Sequence, residues 1–459
     1  MMASSSAVDY GTMSKGRQQI SEIADREHDN DQDQQALKES SEMAVRRKVD
    51  LRLCTIAGIL CSLDLLDSGI ISSASVTTMF QDLDLQGSRY SVSIFIFTIA
   101  SIAFQLPATL AVRYFGPRIF FSATTFAFGL ITLCTAFVQN WKEMMAMRVL
   151  LGISMSGIYP GLTYLISTWY TRREQQLRFA YLQTGEVFML ASGSILNFGL
   201  NHLNGRGGLA GWRWMFLVEG FIACIVGIIT YWWMVDFPEH AQRSFKFLSV
   251  AENATAVSRI EKDRGDVHAS PFGWKKLIQS AKDPKVYGFG CMFFLLNLVS
   301  TALSYFLPII LQGGLGFNTN QAILLSAPPY YYAIIPVILS SLVSDKFRVR
   351  GPVIVFNSVC LVVGVSMLGF AEQPTVRYIG TFLATGAYVS NWAALSAYYA
   401  NNIVGQWKRV FTAAVVAACN GAGGIAGSFI FRQNEAPRYM TAISVAIGCV
   451  QPLSWSRAR

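Results

Sequence analysis

A few polar residues stand inside the long apolar tracts of this chain, and each could do chemistry there. Asp64 and Asp67 are three residues apart in the first tract, which puts both carboxyls on one face of a helix. A carboxyl that water scarcely reaches can take up and release a proton, so one or both could carry a coupling proton. The bland alternative is that Asp67, near the end of its tract, is solvated or pairs with a base on another helix. Arg148 is the one basic residue well inside an apolar segment, and it suits either an anionic ligand or a carboxylate partner. Glu186 follows Gln183 by one turn and precedes Asn197, a polar stripe that suits the lining of a path. Glu219 comes six residues after Arg213, on a different helical face, and suits a structural network. Tyr305 and Asn391 are the polar groups in the second half that could face a common cavity, Asn391 interrupting an apolar and aromatic tract.

The elements that must hold these groups follow from composition. Of 459 residues, 52% are apolar and only 14% are charged, against about 25% charged in soluble domains. Mean hydropathy is +0.37. Apolar runs occupy 52–71, 91–111, 119–138, 144–167, 179–200, 213–235, 286–311, 321–343, 352–371, 375–398 and 409–431. Each is long enough for a helix to cross about 30 Å of hydrocarbon, and lipid leaves the backbone no partner outside a helix. Six runs precede a polar stretch at 236–285 and five follow it. This predicts an all-α polytopic membrane protein of two helical lobes: a disordered tail over 1–50, a first lobe over 51–235, a cytosolic linker over 236–285 and a second lobe over 286–450. Residues 440–450 are apolar for too short a run to make a full twelfth span, so a truncated twelfth helix and a cytosolic tail over 451–459 are expected.

Basic residues gather in alternate loops, among them Arg46, Arg47 and Lys48, then Arg113 and Arg118, then Arg172, Arg173 and Arg178. That bias predicts a cytosolic N-terminus. It also accounts for the net charge of +9 without a nucleic acid, for which no aromatic-basic groove or base-reading motif is present. The eight cysteines lie in apolar segments with no CxxC pair, and the four histidines fall outside the spans, so no metal site and no cofactor are expected. No apolar leader opens the chain, and no P-loop, HExxH, GxSxG or dinucleotide-binding motif occurs. An ATP-driven pump and an enzyme are disfavoured. An internal echo supports two related halves, because a basic Gly-Pro turn follows the second span at Gly116-Pro117 and the eighth at Gly351-Pro352.

Several blocks now resemble a known family. Residues 65–74 (LLDSGIISSA) are similar to the first-helix motif of the fungal allantoate-permease group of the major facilitator superfamily, the anion:cation symporters that include nicotinate- and pantothenate-type permeases. Asp67 holds the motif's acidic position, while its Arg position holds Ser68 and its two Asn positions are also replaced. Further matches are 115–118 (FGPR), 148–152 (RVLLG), 207–220 (GGLAGWRWMFLVEG), Ser344-Asp345-Lys346, and Asn401-Asn402 with Lys408-Arg409. The resemblance runs from about residue 46 to about residue 439 and implies a two-lobed secondary transporter. It implies gating or structural roles for Gly116, Arg118, Gly152, Arg213, Glu219, Asp345, Lys408 and Arg409. The polar residues within the spans, with Asp67 in the motif's acidic position, are the expected substrate or proton path: Asp64, Asp67, Arg148, Glu186, Tyr305 and Asn391. The expected function is proton-coupled uptake of a small organic anion across the cell membrane by a monomer. Alternatives are an exporter of a fungal secondary metabolite and a nonfunctional truncated relative.

Overall fold

The computed structural model describes residues 42–85, 87–170, 172–238, 247–263, 281–347, 350–403 and 406–430. Helix α1 covers Thr55–Ser75 and continues backward through a π turn at Asp50–Cys54 to Glu42. The helix therefore begins ahead of the tail boundary at residue 50, because Val45 and Val49 bury themselves in the first lobe's core. Helix α2 is Arg89–Phe115 and α3 is Pro117–Thr135. Between them Gly116 adopts φ +83°, a left-handed conformation open to glycine, and Pro117 presets the first turn of α3.

The expected fourth span divides into α4, Trp141–Met155, and α5, Ile158–Trp169, with a turn at Ser156 and Gly157. Pro160 lies in the first turn of α5, where its missing N–H is not needed. Helices α6, Arg172–Asn201, and α7, Gly211–Trp233, complete the first lobe. The linker holds α8, Val250–Asp263. The second lobe comprises α9, Pro284–Ile309, the short α10, Thr319–Leu325, then α11, Ala327–Phe347, α12, Arg350–Phe370, α13, Pro374–Asn402, and α14, Gln406–Ile430. Among the described residues no strand occurs. Nine segments there are long and apolar enough to cross a membrane. Helices α6 and α13 fill the other two expected positions, their tracts diluted by Gln183, Glu186 and Asn197 in one and Arg377 and Asn391 in the other. The shortened twelfth segment at 440–450 lies outside the described residues.

Glycines bring helix backbones together, as packing in lipid requires. A Cβ on Gly152 would stand 2.5 Å from the Phe97 carbonyl oxygen, so α4 packs directly on α2. In the same way Gly220 seats α7 on α3, 2.5 Å from the Leu133 nitrogen.

One apolar core crosses between the lobes. It joins Ile70, Val76 and Leu190 of the first to Leu296, Leu307 and Ile323 of the second. A separate core of Leu53, Leu60, Phe121, Leu165, Trp169 and Phe247 belongs to the first lobe and the linker. The lobes are thus joined at the end remote from the linker. Hydrogen bonds follow the same division. The Val76 carbonyl accepts from Thr319 Oγ1 at 3.1 Å and Gln312 Nε2 at 3.4 Å, and Asn201 Nδ2 donates to Asn320 Oδ1 at 2.7 Å. Along α2 and α14 the rings of Phe95 and Phe429 meet edge to face with centroids 5.4 Å apart, and Ile102 lies against Gly421. Past that point Leu106, Leu110 and Tyr114 are exposed.

The linker helix is tied to the first lobe. Lys48 Nζ bonds Glu252 Oε1 at 2.5 Å, and Phe247 packs against Trp169 beneath the Arg52 guanidinium. The Lys48 hydrogen bond, with the Ser249 N–H, holds the Glu252 carboxyl below the usual range.

Gly220→Leu should lower the thermal unfolding midpoint of the purified protein sharply, because overpacking costs about 1–3 kcal/mol even where neighbours can shift. Gly185→Ala, where an added Cβ meets nothing within 4 Å, should leave it nearly unchanged. Equal effects of the two would contradict the packing described.

Candidate functional site

Helices α1, α4, α6 and α7 converge on a group of polar side chains in the interior of the first lobe. Arg148 Nη1 donates to Asp67 Oδ2 at 2.7 Å, and the two side chains are 1% and 0% exposed. Asp67 Oδ1 and Arg148 Nε and Nη2 have no hydrogen-bond partner. Glu219 of α7 is within electrostatic reach of Asp67 and beside Asn197, with neither carboxyl oxygen in a hydrogen bond of standard geometry. Asn197 Nδ2 reaches Ser73 Oγ at 3.4 Å. Two carboxyls and one guanidinium are therefore enclosed together. Their summed charge is −1 with both carboxyls ionised, zero with one proton bound and +1 with two. Each proton taken up by such a group would change the charge inside the lobe by a full unit.

This group lies one residue from the seam between the lobes. Tyr90 of α2 is close enough to feel the charges of Arg148 and Asp67, and its hydroxyl donates to the Tyr305 carbonyl in α9 at 3.0 Å. Its ring stacks edge-on to Phe306. Tyr90 therefore stands between the charge group and the second lobe. From Tyr305 the seam uses the main-chain carbonyl.

The remaining expected residues are distributed as follows. Asp64 lies in α1 one turn before Asp67, and its side chain is outside the described residues. Glu186 is buried in α6, where Gln183 Nε2 donates to Oε2 at 3.2 Å, with Tyr159 nearby. Asn391 is buried in the second lobe, where its Nδ2 donates to Ser358 Oγ at 3.1 Å and ties α13 to α12. Arg118 closes the linker end of the first lobe, bonding the Tyr231 carbonyl at 3.0 Å and stacking on its ring. Arg213 serves the remote end, bonding the Ala136 carbonyl at 2.7 Å and lying over Trp212. Asp345 lies in α11 and Lys408 and Arg409 in α14, with side chains outside the described residues.

Some working residues escape a reading of the sequence. Trp212 Nε1 donates to Asp82 Oδ2 at 2.7 Å, fixing α7 to the segment after α1. Arg178 grips Asp50 with Nη2 at 2.7 and 3.0 Å and stacks on Tyr170. Arg178 reads in sequence as one of several loop bases, and only its contact with Asp50 sets it apart. Among the described residues no group of three or more His, Cys, Asp and Glu could hold a metal ion.

The energetics of the buried pair can be tested directly. Removing one partner leaves a buried charge uncompensated, at about 3–5 kcal/mol, while replacing both by apolar groups is close to neutral. Arg148→Met alone should lower the melting temperature more than Arg148→Met combined with Asp67→Leu. A double variant that melts lower, by the sum of the two single losses, would show that the pair is not coupled.

Comparison with known proteins now adds to this geometry. The Major Facilitator Superfamily model matches residues 57–428. An uncharacterized transporter of Schizosaccharomyces pombe is 29% identical over 90% of this chain and 84% of its own length. The MFS-type transporter cnsO of Penicillium expansum is 29% identical over 89% of this chain and 80% of its own. The high-affinity nicotinic acid transporter of Saccharomyces cerevisiae is 26% identical over 88% and 75%. Among solved structures, the xylose transporter XylE of E. coli in a partially occluded inward-open conformation superposes with TM-score 0.68 at 15% identity, covering 90% of this chain and 99% of that one. With its two helical lobes, its central linker and this match across most of its length, the chain belongs to the Major Facilitator Superfamily and is a multi-pass membrane transporter.

Proposed function

We propose that the protein couples the uptake of a small organic anion to protons, working as a monomer in the cell membrane with its N-terminus and linker in the cytosol. We place it in the anion:cation symporter group of the superfamily. The observation that carries this reading is the enclosed group of Asp67, Arg148 and Glu219. Arg148 is 1% exposed and gives Nη1 to Asp67, so its contribution to binding is through its field. When a carboxyl beside it takes a proton, the local charge becomes more positive by one unit, and an anion in the cleft is favoured. Proton and anion then enter together, and the pair of them carries no net charge.

Asp67 is the proposed proton carrier because it is the carboxyl in contact with Arg148. Its neutralisation weakens the pair, and Tyr90 passes the change to the seam at Tyr305. The seam opens at the remote end while the linker end closes. Glu186 remains the proposed lining of the path in α6. The S. cerevisiae relative, a nicotinic acid transporter by name, supports a carboxylate substrate.

Uptake of labelled nicotinate by cells expressing the protein, compared at external pH 5.5 and 7.5, tests the proposal. One-to-one coupling gives an accumulation limit that rises about tenfold per unit of pH difference, at ~1.4 kcal/mol each. Asp67→Asn should abolish that dependence while the protein stays in the membrane. Retention of full pH dependence by Asp67→Asn would remove Asp67 from the mechanism.

A further inference from the structure

A narrow crevice lies on the seam itself, between α1 and α6 of the first lobe and α9 and α11 of the second. Six hydroxyl residues border it, Ser72 and Ser73 from α1, Ser194 from α6, Ser304 from α9, Ser326 beside α11 and Tyr330 within it, among apolar walls that include Leu190 and Leu307. No charged side chain lines it. In this closed arrangement its free space is about that of one water molecule. Ser73 also meets Asn197, so the crevice borders the charge group from the other face of α1.

Two of these hydroxyls are anomalous. Ser72 and Tyr330 are 2% and 3% exposed, and neither Ser72 Oγ nor the Tyr330 hydroxyl has a hydrogen-bond partner. Tyr330 sits next to Ser304 and Tyr388 without a bond of standard geometry to either. Leaving a buried hydroxyl unpaired costs free energy that folding alone does not return. Most serines in these helices resolve the matter locally, as Ser68 does by bonding the Leu65 carbonyl and Ser75 that of Ser72. Ser72 and Tyr330 do not. They come from opposite lobes and border the same small space.

We propose that this crevice is a substrate subsite for an uncharged hydrogen-bond acceptor, a ring nitrogen or a carbonyl oxygen, which receives the Ser72 and Tyr330 hydroxyls. It rests on the transport reading above and adds a second determinant to it. The charge group selects for the anion, and the crevice selects for an acceptor on the neutral part of the same molecule. Because its two unpaired donors belong to different lobes, an acceptor held between them also favours the arrangement in which the remote end is shut. A well-formed hydrogen bond to an enclosed hydroxyl discriminates against an analogue lacking the acceptor, since the donor is then left unpaired.

Four probes separate the two determinants: nicotinate, benzoate, nicotinamide and benzamide. They vary charge and ring acceptor independently at nearly constant shape. Affinities are read from ligand-induced thermal stabilisation of the purified full chain. Nicotinate should bind about five-fold or more tightly than benzoate, and nicotinamide likewise than benzamide, at roughly one hydrogen bond's worth of free energy. Tyr330→Phe should erase both ratios while leaving the preference for acid over amide. Ser72→Ala provides the same test with a smaller change, should the tyrosine variant fold poorly. If no pair is told apart, or if both variants keep the wild-type ratios, the subsite is overturned. If ring nitrogen is favoured but acid is not preferred over amide, the anion reading fails and the crevice stands.

Discussion

Asp67 and Arg148 meet where water reaches neither, and that burial constrains everything around them. Enclosing two charges carries a desolvation cost of several kcal/mol for each ion, which their attraction offsets only while they remain in contact. The pair therefore cannot separate freely. It holds α1 and α4 in register, and in the proposed mechanism it makes the protonation state of one carboxyl a mechanical variable. Glu219 adds a second acid to a space with a single base, so the charge of the group is variable by design of its composition. Without that surplus carboxyl the pair would be an inert strut.

The seam between the lobes gives this variable something to act on. All the bonds described across it lie at the end remote from the linker, from Tyr90 and Tyr305 to Asn201 and Asn320. They are neutral hydrogen bonds of modest net value, about 0.5–1.5 kcal/mol each. A seam of such bonds is strong enough to hold and weak enough to part. The apolar core that crosses there is continuous, whereas the core at the linker end stops at the first lobe. Rocking about this joint requires close helix contacts that do not tear. Gly421 supplies one on α14, where a side chain would collide with Ile102 of α2.

Much of this architecture was legible in the sequence because hydropathy is a local property. Each apolar run of span length became helical, the fourth and eighth as two helices each. The turn at Ser156 and Gly157 was not legible, since the apolar composition runs straight through it and the change is one of backbone direction. Asp67 and Arg148 were each recognisable as expensive residues, but their mutual contact was not. Eighty-one positions separate them, and no periodicity records which helix faces which. Ser72, Ser73, Ser194, Ser304 and Ser326 were harder still. Serine is ordinary in membrane helices, and only the meeting of two lobes turns five of them into one surface.

The central claim is that the charge on Asp67 sets the balance between two arrangements of the lobes. Distances between paired spin labels measure it most directly. One pair, at Leu110 and Ala413, spans the linker end, and the other, at Gln81 and Glu372, spans the remote end; all four positions are exposed. In reconstituted protein at pH 7.5, Asp67→Asn should shorten the first distance and lengthen the second relative to the unsubstituted background. Distributions that coincide for the two proteins at both ends would contradict the account.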